Sequence, residues 1–247
     1  SSGEAGEGMC VAFSDYPPAS IDAWVLKEFD RMSERVRDAF EKYHFRTATE
    51  HLYNFCNDTL SAVYLAAVKD RLYCDKPDSS RRRRTQSTLW DLTDGLCRLL
   101  APVLPHTADE AYRALVRSDD VCVHLKTFIE KFGVTAEGGW PKVIEAREVA
   151  LKALEDVRAS GDIENPLDAG ITLPDPDNEL RDFDPVDLAD LLGVSRVSLD
   201  PKATKPAVHD LRNEPRCERS WKRDATVRAR SDGGTLSDRD AEAVGVA

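Results

Sequence analysis

Residues 21–43 read IDAWVLKEFDRMSERVRDAFEKY, and their spacing decides the fold class. Apolar side chains recur at Ile21, Val25, Phe29, Met32, Val36, Phe40 and Tyr43, in steps of three and four. That is the period of an amphipathic helix, here about six turns long, and Ser20 stands where an N-cap belongs. A second stripe follows at Phe45, Ala48, Leu52, Phe55, Thr59, Val63 and Ala66, ending near Lys69-Asp70-Arg71. Leu72–Ser80 holds Pro77, Asp78 and two serines and reads as a loop. A third helix starts near Arg81 and uses Thr88, Leu92, Leu96, Leu99 and Val103 before Pro105. Thr107 and Glu110 have capping-box spacing and open a short fourth helix through Leu115. Four helices with short connections predict an antiparallel bundle over residues 20–140, with 1–19 as a linker.

Outward from the bundle the pattern changes. Pro141 suits a first helical turn, and Ile144, Ala150 or Leu151, Leu154 and Val157 give a fifth helix closed by Gly161. Residues 169–173 read as a strand, Asp187–Leu192 as a short helix and Val194–Leu199 as a second strand, so 141–200 is a connecting helix plus a small α/β element. Beyond Asp200 apolar content collapses, and Pro201, Pro206, Pro215 and Gly233-Gly234 interrupt a basic tail, 201–247.

With 247 residues, the chain is long enough for one large domain or two small ones. No apolar run approaches the ~20 residues of a membrane helix, and Ser1–Gly8 lacks the basic-then-apolar order of a secretory signal, so a cytoplasmic protein without a membrane partner is expected. The six cysteines are dispersed, which favours free thiols in a reducing compartment over a disulfide framework. The net charge of −11 is segregated: 155–190 carries twelve acids against Arg158 and Arg181, whereas 69–98 is net +3 and 212–230 net +4. Arginines 81–84 fall at a helix start, where they oppose the helix dipole. Either an external anion or carboxylates of neighbouring segments must resolve that conflict. No phosphate loop, GxGxxG, HExxH or GxSxG occurs, and the five histidines are scattered, so no self-contained active site is expected.

Three stretches carry a resemblance. They are LYNFCND at 52–58, KDRLYCD at 69–75, and LLAPVLPHTADE at 99–110, with further matches at Arg147–Val149, Lys152–Glu155, Ile163 and Pro166–Ala169. Together they are similar to the C-terminal, anticodon-binding region of isoleucyl-tRNA synthetases over most of residues 20–200. The tail resembles the zinc ribbon that ends many bacterial members: 217/220 and 237/240 keep the CxxC spacing, but the residues are Cys217, Ser220, Ser237 and Asp240. One thiolate, two hydroxyls and one carboxylate are a poor zinc set, so the ribbon is expected to have lost its metal.

The resemblance implies a mostly α fold: an antiparallel bundle of the class I synthetase anticodon-binding type, a small α/β element and a degenerate zinc-ribbon-like tail. It implies tRNA(Ile) as partner, together with a catalytic domain in cis or in trans that would hold the ATP and magnesium, because the HIGH-like and KMSKS-like elements are absent from these residues. The expected tRNA contacts are Lys69, Arg71, Arg81, Arg82, Arg83, Arg84, Arg216, Arg219, Trp221, Lys222 and Arg223. Trp221 is alternatively the core of a small tail domain. A reading of another class is a free-standing helical adaptor that binds a protein partner through the acidic segment.

Overall fold

The computed structural model describes residues 11–246, which are mostly helical with a small sheet. They form two compact units, one of residues up to 63 with 83–136, the other of 64–82 with 137 onward. Residues 64–82, counted with the bundle in the sequence reading, thus group with the C-terminal body. Residues 1–10 of the expected linker, Cys10 among them, lie outside the described residues. The rest of that linker is anchored: Tyr16 is buried, and its hydroxyl accepts from Thr88 Oγ1 at 3.0 Å and donates to the Arg84 carbonyl at 3.3 Å.

In the first unit, α1 spans Ile21–Glu41, and the Ser20 hydroxyl accepts from the Ala23 amide as its cap. Ile21, Val25, Phe29, Met32 and Val36 are buried as the period requires. Tyr43 departs from it. The helix has ended, Tyr43 takes a left-handed backbone (φ 59°), and its ring is exposed. Helix α2 (Phe45–Asn54) runs into a π-helical segment, Phe55–Tyr64, and on into α3, Leu65–Cys74. The expected loop therefore begins only at Asp75. Asn57, Asp58, Thr59 and Ser61 are weak helix formers, which suits a stretch where the regular ladder gives way. The wider winding moves the buried stripe by one residue. Leu60, Tyr64 and Ala67 are buried where the helical period predicts Thr59, Val63 and Ala66.

Helix α4 spans Ser80–Leu100 and α5 spans Pro105–Val116. Pro105 takes the first turn of α5 and Leu104 its cap position, so Thr107 lies inside the helix and not at its cap. Cys97, Ala101, Ala108, Tyr112 and Val123 close a small core at this end. Gly95 on α4 is where the Phe29 ring lies, and a Cβ there would overlap the ring.

In the second unit, α6 (Trp140–Ala159) precedes a β1–α7–β2 crossover: β1 is Ala169–Pro174, α7 Pro185–Leu192 and β2 Arg196–Asp200. The strands are parallel, Ile171 opposite Val197 and Leu173 opposite Leu199. Asp184 caps α7 by accepting from the Val186 amide, and Gly193 ends it at φ 68°. A third strand, β3 (Ala207–Asp210), adds antiparallel to the other side of β1. Its residues are half-buried at most, so it lacks an apolar signal in the sequence. The tail is ordered around Cys217, Val227, Leu236 and Ala241, with β4 (Arg228–Ala229), β5 (Thr235–Leu236) and α8 (Asp238–Val244).

Two outcomes follow for the first unit. Gly95→Ala should destabilise it by about 1–3 kcal/mol in urea denaturation, the penalty of overpacking a filled contact. The Asp91 carboxyl on α4 is pushed up to about 7 by burial and by the charge of Asp94. The folded state thus holds a proton that the unfolded chain releases near pH 4, and stability falls as pH rises from there through 7. Asp91→Asn should therefore stabilise the protein more at pH 8 than at pH 4, by about 1–2 kcal/mol after screening. Equal effects at both pH values would refute this.

Candidate nucleic-acid interface

The one-residue offset created by the π segment decides which side chains of α3 face inward. Ala67, Val68, Arg71 and Cys74 are buried, while Lys69 and Tyr73 are exposed. Arg71 is fully enclosed, and its guanidinium donates to Asp187 at 2.9 Å and meets Asp190 at 3.5 Å, both on α7. Arg81, at the start of α4, makes two 2.9 Å hydrogen bonds to Asp75 and reaches Asp187 and Asp190 at 3.4 Å. Lys222, from the tail, donates to Asp190 at 2.5 Å and lies 3.4 Å from Asp70. Arg239 on α8 hydrogen-bonds Asp70 and stands 3.5 Å from Asp75. Arginine and lysine side chains from α3, α4, α8 and the tail are thus interleaved with aspartates of α3, α7, α8 and the α3–α4 connection.

The titration of these groups reflects that interleaving. Burial alone would raise Asp70, but the Arg239 hydrogen bond and the charges of Lys222 and Arg239 outweigh it and hold the carboxyl at about 2. Burial opposes the charge on Arg81 and Arg239 as well, and their aspartate partners reverse it, so both stay protonated throughout the accessible pH range. Because Asp70 is held below its ordinary value, its contribution is complete above about pH 4 and lost on acidification towards 2.

The remaining expected contacts divide by exposure. Arg82 is half-buried and donates to the Asp75 carbonyl at 2.7 Å. Arg83 is half-buried. Arg84 donates to the buried Asp22 at 3.0 Å within the first unit. The carboxylates and carbonyls of neighbouring segments are thus what Arg81, Arg82 and Arg84 meet at this helix start. Arg223 donates to Asp168 at 2.8 Å and to the Glu214 carbonyl at 2.7 Å. Arg219 is exposed and donates to the Tyr73 carbonyl at 2.6 Å. Arg216 is exposed, with its guanidinium 5.0 Å from the centroid of the Trp221 ring. Trp221 is 54% exposed, takes a left-handed backbone (φ 64°) and is not part of the tail core.

Lys69, Tyr73, Arg219, Trp221 and Lys222 line one open groove of about 410 Å³ in the second unit. Tyr73, 75% exposed, was missed as a site residue. The sequence carries a signal for it, an aromatic on α3 that lies off the buried stripe. The 155–190 segment is partly engaged inside the fold: Asp168, Asp187 and Asp190 are ion-paired, Asp184 caps α7, and buried Asp175 accepts from the Leu180 amide. No helix among the described residues is long and apolar enough to cross a membrane.

A helical body that hands basic and aromatic side chains to one groove is a recognition module, and the chain belongs to the family described as the anticodon-binding domain of tRNA ligase, whose model matches residues 22–173. Within that family it is similar to isoleucine–tRNA ligases, as its KDRLYCD stretch implied. The ligase of Carboxydothermus hydrogenoformans is 37% identical over 199 residues, covering 78% of this chain and 20% of the relative. That of Brevibacillus brevis is 35% identical, covering 72% and 20%, and that of Desulfitobacterium hafniense 33% identical, covering 95% and 27%. The chain therefore spans about a fifth to a quarter of the length of these relatives.

Asp190 is the carboxylate shared by Arg71, Arg81 and Lys222. Asp190→Ala would strand those charges in a desolvated place, and removing one partner of a buried pair costs about 3–5 kcal/mol. A loss of that order is expected in urea denaturation of the whole chain, with α7 and the tail becoming protease-sensitive first.

Proposed function

We propose that the chain is the tRNA-holding portion of an isoleucine–tRNA ligase, and that it positions tRNA(Ile) for aminoacylation by a catalytic domain acting in cis or in trans. ATP and magnesium belong to that domain. The observation that carries the reading is the groove of Lys69, Tyr73, Arg219 and Trp221, where two exposed rings stand beside cations. Unpaired anticodon-loop bases splay out and stack on aromatic rings, while Lys and Arg neutralise the flanking phosphates. Arg216 over the Trp221 ring adds a cation beside a stacked base. Lys69, Arg216 and Arg219 are the phosphate ligands. Arg71, Arg81, Lys222 and Arg223 act one layer below, holding the α3 and tail backbones that carry the rings. Arg82, Arg83 and Arg84 are half-buried at the α4 start and offer less surface for direct phosphate contact.

The adaptor reading is weaker, because Asp168, Asp187 and Asp190 of the acidic segment are ion-paired within the fold, and no groove lined by its exposed acids and an aromatic ring matches that of Tyr73 and Trp221 among the described residues.

Trp221→Ala should weaken binding of tRNA(Ile) by roughly 5–150-fold, corresponding to the ~1–3 kcal/mol of one base–aromatic stack, and leave the thermal midpoint unmoved. Lys69→Ala should flatten the log–log salt dependence by about 0.7–0.9. Filter binding across a salt series measures both. Loss of binding that merely follows loss of folded protein would return Trp221 to a structural role, and an unchanged salt slope would remove Lys69 from the interface.

A further inference from the structure

The four positions with paired-cysteine spacing, 217/220 and 237/240, converge on one point. At that point is the carboxylate of Asp240, which is fully buried. Its Oδ2 accepts from Cys217 Sγ at 2.9 Å, from Ser220 Oγ at 2.7 Å and from Ser237 Oγ at 3.0 Å. Arg239 lies beside the same carboxylate at 3.2 Å, and Arg219 at 3.9 Å. The residue set does not fit zinc. Structural zinc is held by four thiolate or imidazole ligands. Here three of the four side chains direct a proton at the fourth, and two of them are hydroxyls. No group of three or more metal-ligating side chains occurs among the described residues.

We infer that Asp240 takes the place of a metal ion in this tail, with its carboxylate as the shared centre on which Cys217, Ser220 and Ser237 are tied. A zinc centre attracts four electron-pair donors from two turns of chain. A buried anion attracts donors in the same way, with the signs reversed, and charge-assisted hydrogen bonds are about twice as strong as neutral ones. One consequence is local geometry. The Trp221 amide donates to the Cys217 carbonyl at 2.9 Å and the Cys217 amide to the Lys222 carbonyl at 2.9 Å, closing a tight knuckle. Tying Cys217 and Ser220 to one oxygen holds that knuckle in the turn that gives Trp221 its left-handed backbone. A second is linkage to the body: Arg239 spans from Asp240 to Asp70, so the centre continues into the aspartate–arginine lattice. The inference concerns how the tail is ordered and stands whether or not the groove binds RNA.

Three measurements on the full chain test it. After dialysis against EDTA, elemental analysis should find far less than one zinc per chain, with limited proteolysis of residues 211–246 unchanged. Asp240→Ala should expose that segment to protease while the first unit keeps its denaturation midpoint. The triple variant S220C/S237C/D240C, refolded with zinc, should take up one zinc per chain and become chelator-sensitive. Retention of about one zinc by the unaltered chain overturns the inference. So does an Asp240→Ala tail that stays as protected as the parent, or a triple variant that binds no zinc, since the four positions would then not surround one point.

Discussion

The second unit depends on putting charge inside and leaving none of it alone. Asp190 is enclosed and meets Arg71, Arg81 and Lys222, which come from three separate stretches of chain. A buried ion pair adds little net stability over well-packed apolar groups, yet breaking one is severe. Such a lattice therefore acts on arrangement more than on depth of the energy well. α3, the start of α4, α7 and the tail can close only in the registry that pairs every charge. A slip of one residue would bury an unpaired arginine or aspartate. Apolar packing supplies no such penalty, and the tail, whose own core is Cys217, Val227, Leu236 and Ala241, has little of it to spend.

The same arrangement accounts for an acidic chain that serves, in our reading, a polyanion. A net charge of −11 suggests repulsion of nucleic acid. Part of the acidic excess is engaged by arginines and lysines inside the second unit, while Lys69, Arg216 and Arg219 remain at the surface. Net charge is thus a poor guide here, and exposure of individual groups a better one. Buried cations stiffen the scaffold, and exposed ones stand beside Tyr73 and Trp221.

How far the sequence could be read depended on periodicity. The α1 stripe from Ile21 to Val36 and the β1–α7–β2 order were legible because regular spacing and capping residues marked them. The second helix was legible as a helix but not in phase, since no propensity rule announces a π segment, and every buried position after Phe55 was displaced by one. β3 was invisible because an edge strand with no buried residue leaves no pattern. Among candidate site residues, composition identified the basic runs, and the family likeness pointed to what they serve. Which arginines face inward could not be read from either, because that depends on Asp187 and Asp190, over a hundred residues from Arg71 in sequence.

The π segment amounts to a counting device. Each residue advances an α-helix by about 100°, so one residue absorbed in a wider turn realigns everything that follows it. Were Phe55–Tyr64 wound as plain α-helix at unchanged length, the inward face of α3 would fall to Asp70 and Tyr73, and Arg71 would turn to solvent. Shortening the segment by a single residue would instead straighten the ladder and keep Arg71 inside. The number of residues between Phe55 and Ala67, with the wider turn among them, therefore sets which side of α3 is buried.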